Sequence, residues 1–445
     1  MDVHKSGELH VGIDAQVLPW RNGGVAHALM ALVRALANLP DANERYSLVV
    51  DTEEEEEFWR PLLGPNQSLL RKKKIRPVQM RARPKGLRGV VGGAIKSARQ
   101  WVNGPVEPEI ENLSWPDVPI SDGFYESLGC DVLHIPWQNF VLCAMPTIYN
   151  PHDLQHLHMP HFFTPKELAW KETMYSMGCR FARTVAVGSQ WVKDDVAQSY
   201  GIDRRKIQVI PEGPQLQLAP RITSEKAEDV RNQYSLPARY IFYPAIMWPH
   251  KNHLRLLDAL AILRREQGLV VSLVCTGTKH EEFWPTIERR IRDLNLAQQV
   301  HCLGFVPESD LRAIQQAACG LVQPSLFEAS SLPIFDAWLE EIPVACSRAT
   351  ALPGQVGDAA ILFDPLNVHD IACAVAEIMT SAETRRELCA RGLRRLGDFD
   401  WTRTAKAYRA VYRRTAGLTL NEEDRWLLEW DWMRNPDRSP NMKAI

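Results

Sequence analysis

Twice along this chain, strand-like runs alternate with amphipathic helical runs, and that double alternation restricts the fold more than any single motif does. The first series opens with LHVGIDAQVL, a turn at RNGG, and a helix, VAHALMALVRALANL, whose apolar residues recur at i, i+3, i+4 spacing. RYSLVVD, DVLHIP, PTIYNPHD, RTVAVGS and KIQVIPEG follow as strands with helical segments between them. After Pro211 the pattern loosens into a polar connection, QLQLAPRITSEKAEDVRNQYSLPAR. IFYPAI then opens the second series, carried on by LRLLDALAILRRE, VVSLVCTG, HEEFWPTIERRIRDLN, QVHCLGFV and ESDLRAIQQAA. Two such series, each of domain size, predict an α/β protein of two Rossmann-like domains facing a cleft. A length of 445 residues agrees, being too long for one core. The expected units are 1–214, with a basic insert at about 53–120, a linker over 215–237, and a second domain over 238–398. A crossing helix over 399–417 and an aromatic tail over 418–445 complete the chain.

An apolar content of 45%, a charged content of 24% and a net charge of −2 describe a globular chain with no global case for nucleic-acid binding. The nine cysteines include no C-x-x-C pair, so they read as small buried thiols in a reducing compartment, without structural zinc. The first residues lack an apolar signal core, and no stretch reaches membrane-span length. The expectation is a cytoplasmic protein with peripheral contact at the inner face of a membrane. That contact is placed in the insert, where Arg71–Val106 holds eleven Lys or Arg and no acid. Its LRGVVGGAIKSARQWV mixes apolar and basic residues, as a membrane surface or an anionic lipid carrier requires. The acidic run Glu53–Glu57 before it reads as a solvated charge run.

The segment Gln323–Pro365 carries the chemistry. GLVQPSL ends a buried strand, EASS is a short turn, and LPIFDAWLEE begins a helix with Pro333 in its first turn, where a missing N–H costs nothing. A strand end followed by a helix N-terminus forms a crevice with free N–H groups aimed at an anion. Glu328 stands at its lip and Asp336 eight residues on. Two carboxylates around an anion-binding helix start suit a ligand bearing hydroxyls and phosphates.

This segment resembles the donor site of retaining GT-B-fold glycosyltransferases of family 4, which carry a Glu, seven residues and a second Glu, then a Pro-Val strand and a Gly-Asp-Ala-Ala strand. Glu328, IPVACS, LPGQVGDAA and FDP match; Asp336 replaces the second Glu, and Gly354 the Glu of an intervening loop. The resemblance implies that Glu328 contacts sugar hydroxyls and Asp336 the ribose, with Ser330, Ser331 and Leu332 at the helix start lining the donor site. In PAIMWPHKNH, Lys251 and Asn252 match a Pro-x-Lys-Asn element whose Lys clamps the diphosphate, while Ile246 stands where the family has Arg and His250 is a candidate substitute. Gly23 and Gly24, after the first strand, match the family's glycine-rich loop. In NPHDLQH, His152 takes the family's place beside the reacting sugar ring, whereas His156, His158 and His161 have no metal-site spacing and read as structural. Asp398-Phe399-Asp400 directly precedes a helix, so Asp400 reads as an N-cap and not as a metal ligand.

The function implied is retaining transfer of a hexose, of mannose or rhamnose type, from a nucleotide-sugar to a glycan or lipid-linked acceptor, as in polysaccharide or lipopolysaccharide assembly. The nucleotide-sugar is a substrate, and no metal or other cofactor is required. Two alternatives are an epimerase of the same fold and a non-catalytic nucleotide-sugar-binding scaffold; a dinucleotide oxidoreductase lacks its glycine fingerprint.

Overall fold

The computed structural model of the protein describes residues 9–40, 43–72, 117–218 and 221–431. The basic stretch therefore lies outside the described residues except at Arg71 and Lys72, as does the tail beyond Asp431.

The first series folds as a seven-stranded sheet of β1 (Leu9–Asp14), β2 (Glu44–Val50), β3 (Gln67–Arg71), β4 (Val132–Ile135), β5 (Thr147–Tyr149), β6 (Thr184–Val187) and β7 (Ile207–Val209). Their spatial order is β3-β2-β1-β4-β5-β6-β7. The second series forms a six-stranded sheet of β8 (Tyr240–Pro244), β9 (Ser272–Thr276), β10 (Val300–Cys302), β11 (Gly320–Gln323), β12 (Val344–Ser347) and β13 (Ile361–Phe363), ordered β10-β9-β8-β11-β12-β13. Every pairing is parallel. β1, β4 and β6 are buried throughout because helices cover both faces of a parallel sheet. The two Rossmann-like domains expected from the alternation are present. In each sheet the strand order reverses once, between β1 and β4 and between β8 and β11, and ligands of such sheets bind beyond the strands' carboxyl ends at that reversal.

Three segments differ from the sequence reading. The acidic run is a helix, Glu53–Trp59, closed by a capping box in which Thr52 accepts from the Glu55 N–H. Glu55 is buried and accepts from the Asp51 and Thr52 N–H groups at 2.8 and 3.0 Å. Acids in a first turn complement the helix dipole, so this run is structure and not solvated loop. It leads into β3, an edge strand of the first sheet. The polar connection holds a helix, Ser224–Gln233, which Thr223 caps. Its buried Val230 packs with Ile314 of helix Glu308–Gln316. LPGQV is a short helix, Leu352–Val356, where a loop was expected.

Helix Trp401–Ala416 starts at Asp400, whose side chain accepts from the Arg403 N–H at 2.8 Å, and packs on the first domain. Its Tyr412 and Tyr408 reach the first sheet through His134 and Asn150: His134 Nδ1 lies 2.9 Å from the Tyr412 hydroxyl and Nε2 3.0 Å from Asn150 Oδ1, while Asn150 donates to Tyr408 at 2.7 Å. Burial pushes His134 down to about 4, so this network is neutral. Thr404 donates to the Pro211 carbonyl and the Trp401 indole to that of Pro214. Between these anchors a Cβ on Gly213 would lie 2.8 Å from Trp401 N, so the close approach requires glycine.

Candidate functional site

The strand reversal of the second sheet brings Lys251 and Glu328 together. Lys251 ends the turn Pro249–Lys251 after β8, and Glu328 lies in the loop after β11. Lys251 Nζ donates to Glu328 Oε1 at 2.6 Å, with side chains 21% and 9% exposed. Their loops are held by bonds the sequence reading did not anticipate. Leu326 N donates to the His250 carbonyl at 2.8 Å, and the buried Tyr243 hydroxyl donates to the Lys251 carbonyl at 2.9 Å while lying 3.0 Å from Ser325 Oγ. Thr350, itself in a left-handed conformation at φ 47°, accepts from Glu328 N and donates to Glu328 O at 2.9 and 2.6 Å. Glu328 is thus fixed at its backbone, with its carboxylate left for Lys251.

The first domain faces this pair with the carboxyl ends of its strands. His152, after β5, has a positive φ of 64°, a conformation costly for a non-glycine residue and concentrated at functional sites. Its Nε2 lies 2.8 Å from the Pro136 carbonyl, which only accepts, so Nε2 carries the proton and Nδ1 remains an acceptor. Burial lowers its pKa and keeps the ring neutral. Gly23 caps helix Gly24–Ala37, of which Gly24 is the first residue, and a Cβ on Gly23 would lie 3.2 Å from Ile246 Cδ1 of the second domain. Further contacts join the two walls. His158 and Trp191 of the first domain both pack on Phe327, with centroids 5.5 Å apart, and a Cβ on Gly188, after β6, would lie 3.6 Å from that of Ser330.

Several expected ligand groups are spent on structure. Asn252, at φ 60°, donates to the Pro324 and Pro365 carbonyls at 2.9 and 2.8 Å and accepts from Arg255, so its amide ties three loops and is not a donor contact. Asp336 is 4% exposed, and its Oδ1 accepts from the Leu216 N–H at 2.8 Å. Burial pushes it up to about 7, and it holds the linker rather than facing the cleft as a ribose ligand. The depressed pKa of His250, about 2 through burial and the neighbouring Lys251 and His253, makes it neutral and no substitute for an arginine. Ser331 is buried, its hydroxyl donating to Gln323 at 2.6 Å and its N–H to Gln355 at 2.9 Å; Leu332 is buried behind it. Ser330 stays at the cleft. His156 lies 3.3 Å from both Glu172 and the Tyr200 hydroxyl, and His158 lies 2.9 Å from Asp195, so both are structural as expected.

Two carboxyl groups escaped the sequence reading. Asp14, the last residue of β1, accepts from the Tyr125 hydroxyl at 3.1 Å and the Gln16 N–H at 3.3 Å, and burial raises it to about 6. It sits at the strand reversal of the first sheet, a position that could have flagged it. Glu212 follows β7, and burial raises it to about 7. A surface groove of about 620 Å³ lined by Arg265, Arg290 and His369 lies on the second domain apart from all these residues. Among the described residues, no helix is long and apolar enough to cross a membrane.

Comparison with known proteins agrees with the fold. The family model of Glycosyl transferases group 1 matches residues 226–395, and that of Glycosyltransferase Family 4 matches residues 102–217. The chain is 27% identical over 268 residues to the O-antigen chain mannosyltransferase B of Escherichia coli, covering 58% of this chain and 69% of that one. It is 30% identical over 224 residues to the MMP alpha-(1->4)-mannosyltransferase of Mycolicibacterium hassiacum, covering 49% of this chain and about half, 51%, of that one. Among solved structures, Anabaena HepE in complex with UDP and glucose superposes with a TM-score of 0.65 at 15% identity, covering 92% of this chain and 100% of that one.

Proposed function

We propose a specific activity for this chain, which belongs to the group 1, family 4 glycosyltransferases and has their GT-B fold: retaining transfer of a hexose, mannose by preference, from a nucleotide-sugar to a glycan or lipid-linked acceptor in polysaccharide or lipopolysaccharide assembly. The observation that carries it is the Lys251–Glu328 pair at the strand reversal of the second sheet, and a strained, neutral His152 follows β5 of the first domain. Mannose is preferred because two relatives are named mannosyltransferases.

In this reading Lys251 offsets charge on the leaving diphosphate as the bond from the anomeric carbon breaks. Glu328 holds sugar hydroxyls while positive charge develops on the ring, and His152 Nδ1 accepts a hydrogen bond from a hydroxyl. The acceptor oxygen attacks on the face the phosphate leaves, forming the new glycosidic bond, and the leaving phosphate oxygen takes the acceptor's proton. No protein nucleophile and no metal is needed, so transfer should survive chelation with EDTA. The protein would work in the cytoplasm, with the basic stretch 71–106 at the membrane or the acceptor.

A thermal-shift screen across UDP-, GDP-, dTDP- and ADP-sugars tests the donor, because a ligand at a hundred times its Kd adds about 2.7 kcal/mol. A GDP-mannose shift followed by product with an α-anomeric signal by NMR is the expected result. Inverted product would overturn the mechanism. A screen with no shift from any donor would overturn the activity.

A further inference from the structure

The third carboxyl of the cleft, Glu212, has no place in the chemistry above. It lies two residues past Ile210, whose N–H extends the β6–β7 ladder by donating to the Val187 carbonyl at 2.8 Å. Its backbone is pinned on both sides, by Thr404 at the Pro211 carbonyl and by the close approach of Gly213 to Trp401. Its side chain is half-buried and so is reachable from the cleft. The side chain that acts on its carboxyl, lowering its pKa, is Ser330, two residues beyond Glu328 in the same loop. Ser330 also sits against the carboxyl end of β6, where a Cβ on Gly188 would lie 3.6 Å from its own. No ion pair to Glu212 occurs among the described residues, and the groups that act on it are Ser330 and, from the crossing helix, Tyr408.

A half-buried carboxyl on a rigidly held backbone, with no cation beside it among the described residues, is poorly suited to the free protein, and such groups concentrate at functional sites. In its protonated form it offers one O–H donor and acceptor oxygens, the complement of a sugar's hydroxyls, without repelling a nearby diphosphate. We propose that Glu212 is a sugar-binding residue of the cleft, which contacts hydroxyls of the donor hexose from the first domain while steadying the Ser330 loop on the second. Glu212 takes this role only if the chain transfers sugar as proposed above.

The test is calorimetry of wild type, Glu212→Ala and Glu212→Gln with GDP-mannose and with GDP alone, or with whichever sugar nucleotide and its diphosphate the donor screen selects. Glu212→Ala should weaken the nucleotide-sugar tenfold or more and leave the nucleoside diphosphate within twofold. Glu212→Gln, which keeps a donor and an acceptor, should restore nucleotide-sugar affinity to within about threefold. Wild-type affinity for the nucleotide-sugar should also fall as pH rises from 6 to 8, since burial sets the Glu212 carboxyl near 7 and its ionisation repels the diphosphate; Glu212→Gln should flatten that fall. Equal weakening of both ligands by Glu212→Ala, or of neither, would show a residue that only ties down the loop and would overturn the proposal. If wild type binds no nucleotide-sugar, the transferase reading itself fails, an outcome visible before any variant is compared.

Discussion

Replacing Glu328 by Gln should lower transfer by about a hundred- to a thousandfold while the fold persists, the size of effect found when one preorganised polar group is removed from a transition state. The loop's geometry does not depend on the carboxylate. Glu328 is fixed through its N–H and carbonyl by Thr350, at 2.9 and 2.6 Å, and its carbonyl also accepts from Ala351 N at 3.2 Å. What the substitution removes is a charge 2.6 Å from Lys251 Nζ. With charge centres about 3 Å apart and an effective dielectric of about 20, the gross attraction is about 5 kcal/mol. Desolvation of both groups offsets most of that, leaving a net of about 1–2 kcal/mol. The thermal midpoint should therefore fall by about 2–8 °C, at roughly 2–4 °C per kcal/mol.

Nucleoside-diphosphate affinity supplies the discriminating readout. Because Lys251 is shared with Glu328 in the free protein, Glu328→Gln should leave it unchanged or make it tighter. Initial rates with saturating donor, a melt, and calorimetry with the nucleoside diphosphate measure the three quantities. Turnover within about threefold of wild type, less than the 1.36 kcal/mol of a tenfold change, would refute the reasoning and return Glu328 to the status of a buried structural acid. A collapse of nucleotide affinity together with stability would refute it differently, by showing that the carboxylate holds the loop.

Asn252→Ala should cost about 2–4 kcal/mol, because it strips the amide from the Pro324 and Pro365 carbonyls and leaves them buried without partners; chemical denaturation measures this. Asp336→Ala should lower the thermal midpoint by releasing the Leu216 N–H, and calorimetry should find nucleotide affinity within about threefold; lost affinity at unchanged stability would restore a ribose role. The His158–Asp195 pair predicts a pH effect. Asp195 raises the histidine's pKa, so its stabilisation is complete below about pH 6.5, the ordinary histidine value, and is lost as pH climbs through the higher folded value. His158→Phe should flatten that part of the stability-versus-pH curve, read from melts between pH 5.5 and 8.5.

Most strands and both reversal loops were legible because buried parallel strands write themselves as continuous apolar runs, and the loops after β8 and β11 carry Pro, Lys, Asn and Glu in a recognisable order. What stayed hidden depends on partners distant in sequence. β3 reads QSLLR, half-exposed at a sheet edge, and has no apolar run to announce it. Helix Ser224–Gln233 buries a single residue, Val230, against the second domain, so its sequence looks like linker. Asn252 and Asp336 matched the donor motif in type and spacing. Their assignments fail on carbonyls and N–H groups 72, 113 and 120 residues away, which spacing does not encode. Glu212, between two prolines and a glycine, cannot be told from a surface acid until the crossing helix fixes its backbone.

The glycine turn and the missing arginine have one explanation. Gly23 adopts φ 53° and ψ −128°, open to glycine alone, and its N–H donates to the Pro19 carbonyl at 3.0 Å, so it is not aimed at a phosphate. Its bare Cα packs against Ile246, which leaves an apolar contact between the domains where the family has a cation. His250 is neutral. Of the two side chains the sequence placed at the diphosphate, Lys251 and His250, only Lys251 carries charge, and in the free protein that charge is answered by Glu328. If Lys251 meets the diphosphate as proposed, an arriving diphosphate must draw it away from Glu328. The carboxylate so released is the group that sugar hydroxyls require, and phosphate binding and sugar binding become one exchange: a nucleotide with no sugar breaks the ion pair and gains nothing in return. In the proposed reading, donor selection would then fall on the intact nucleotide-sugar, through a single lysine that serves two anions in turn.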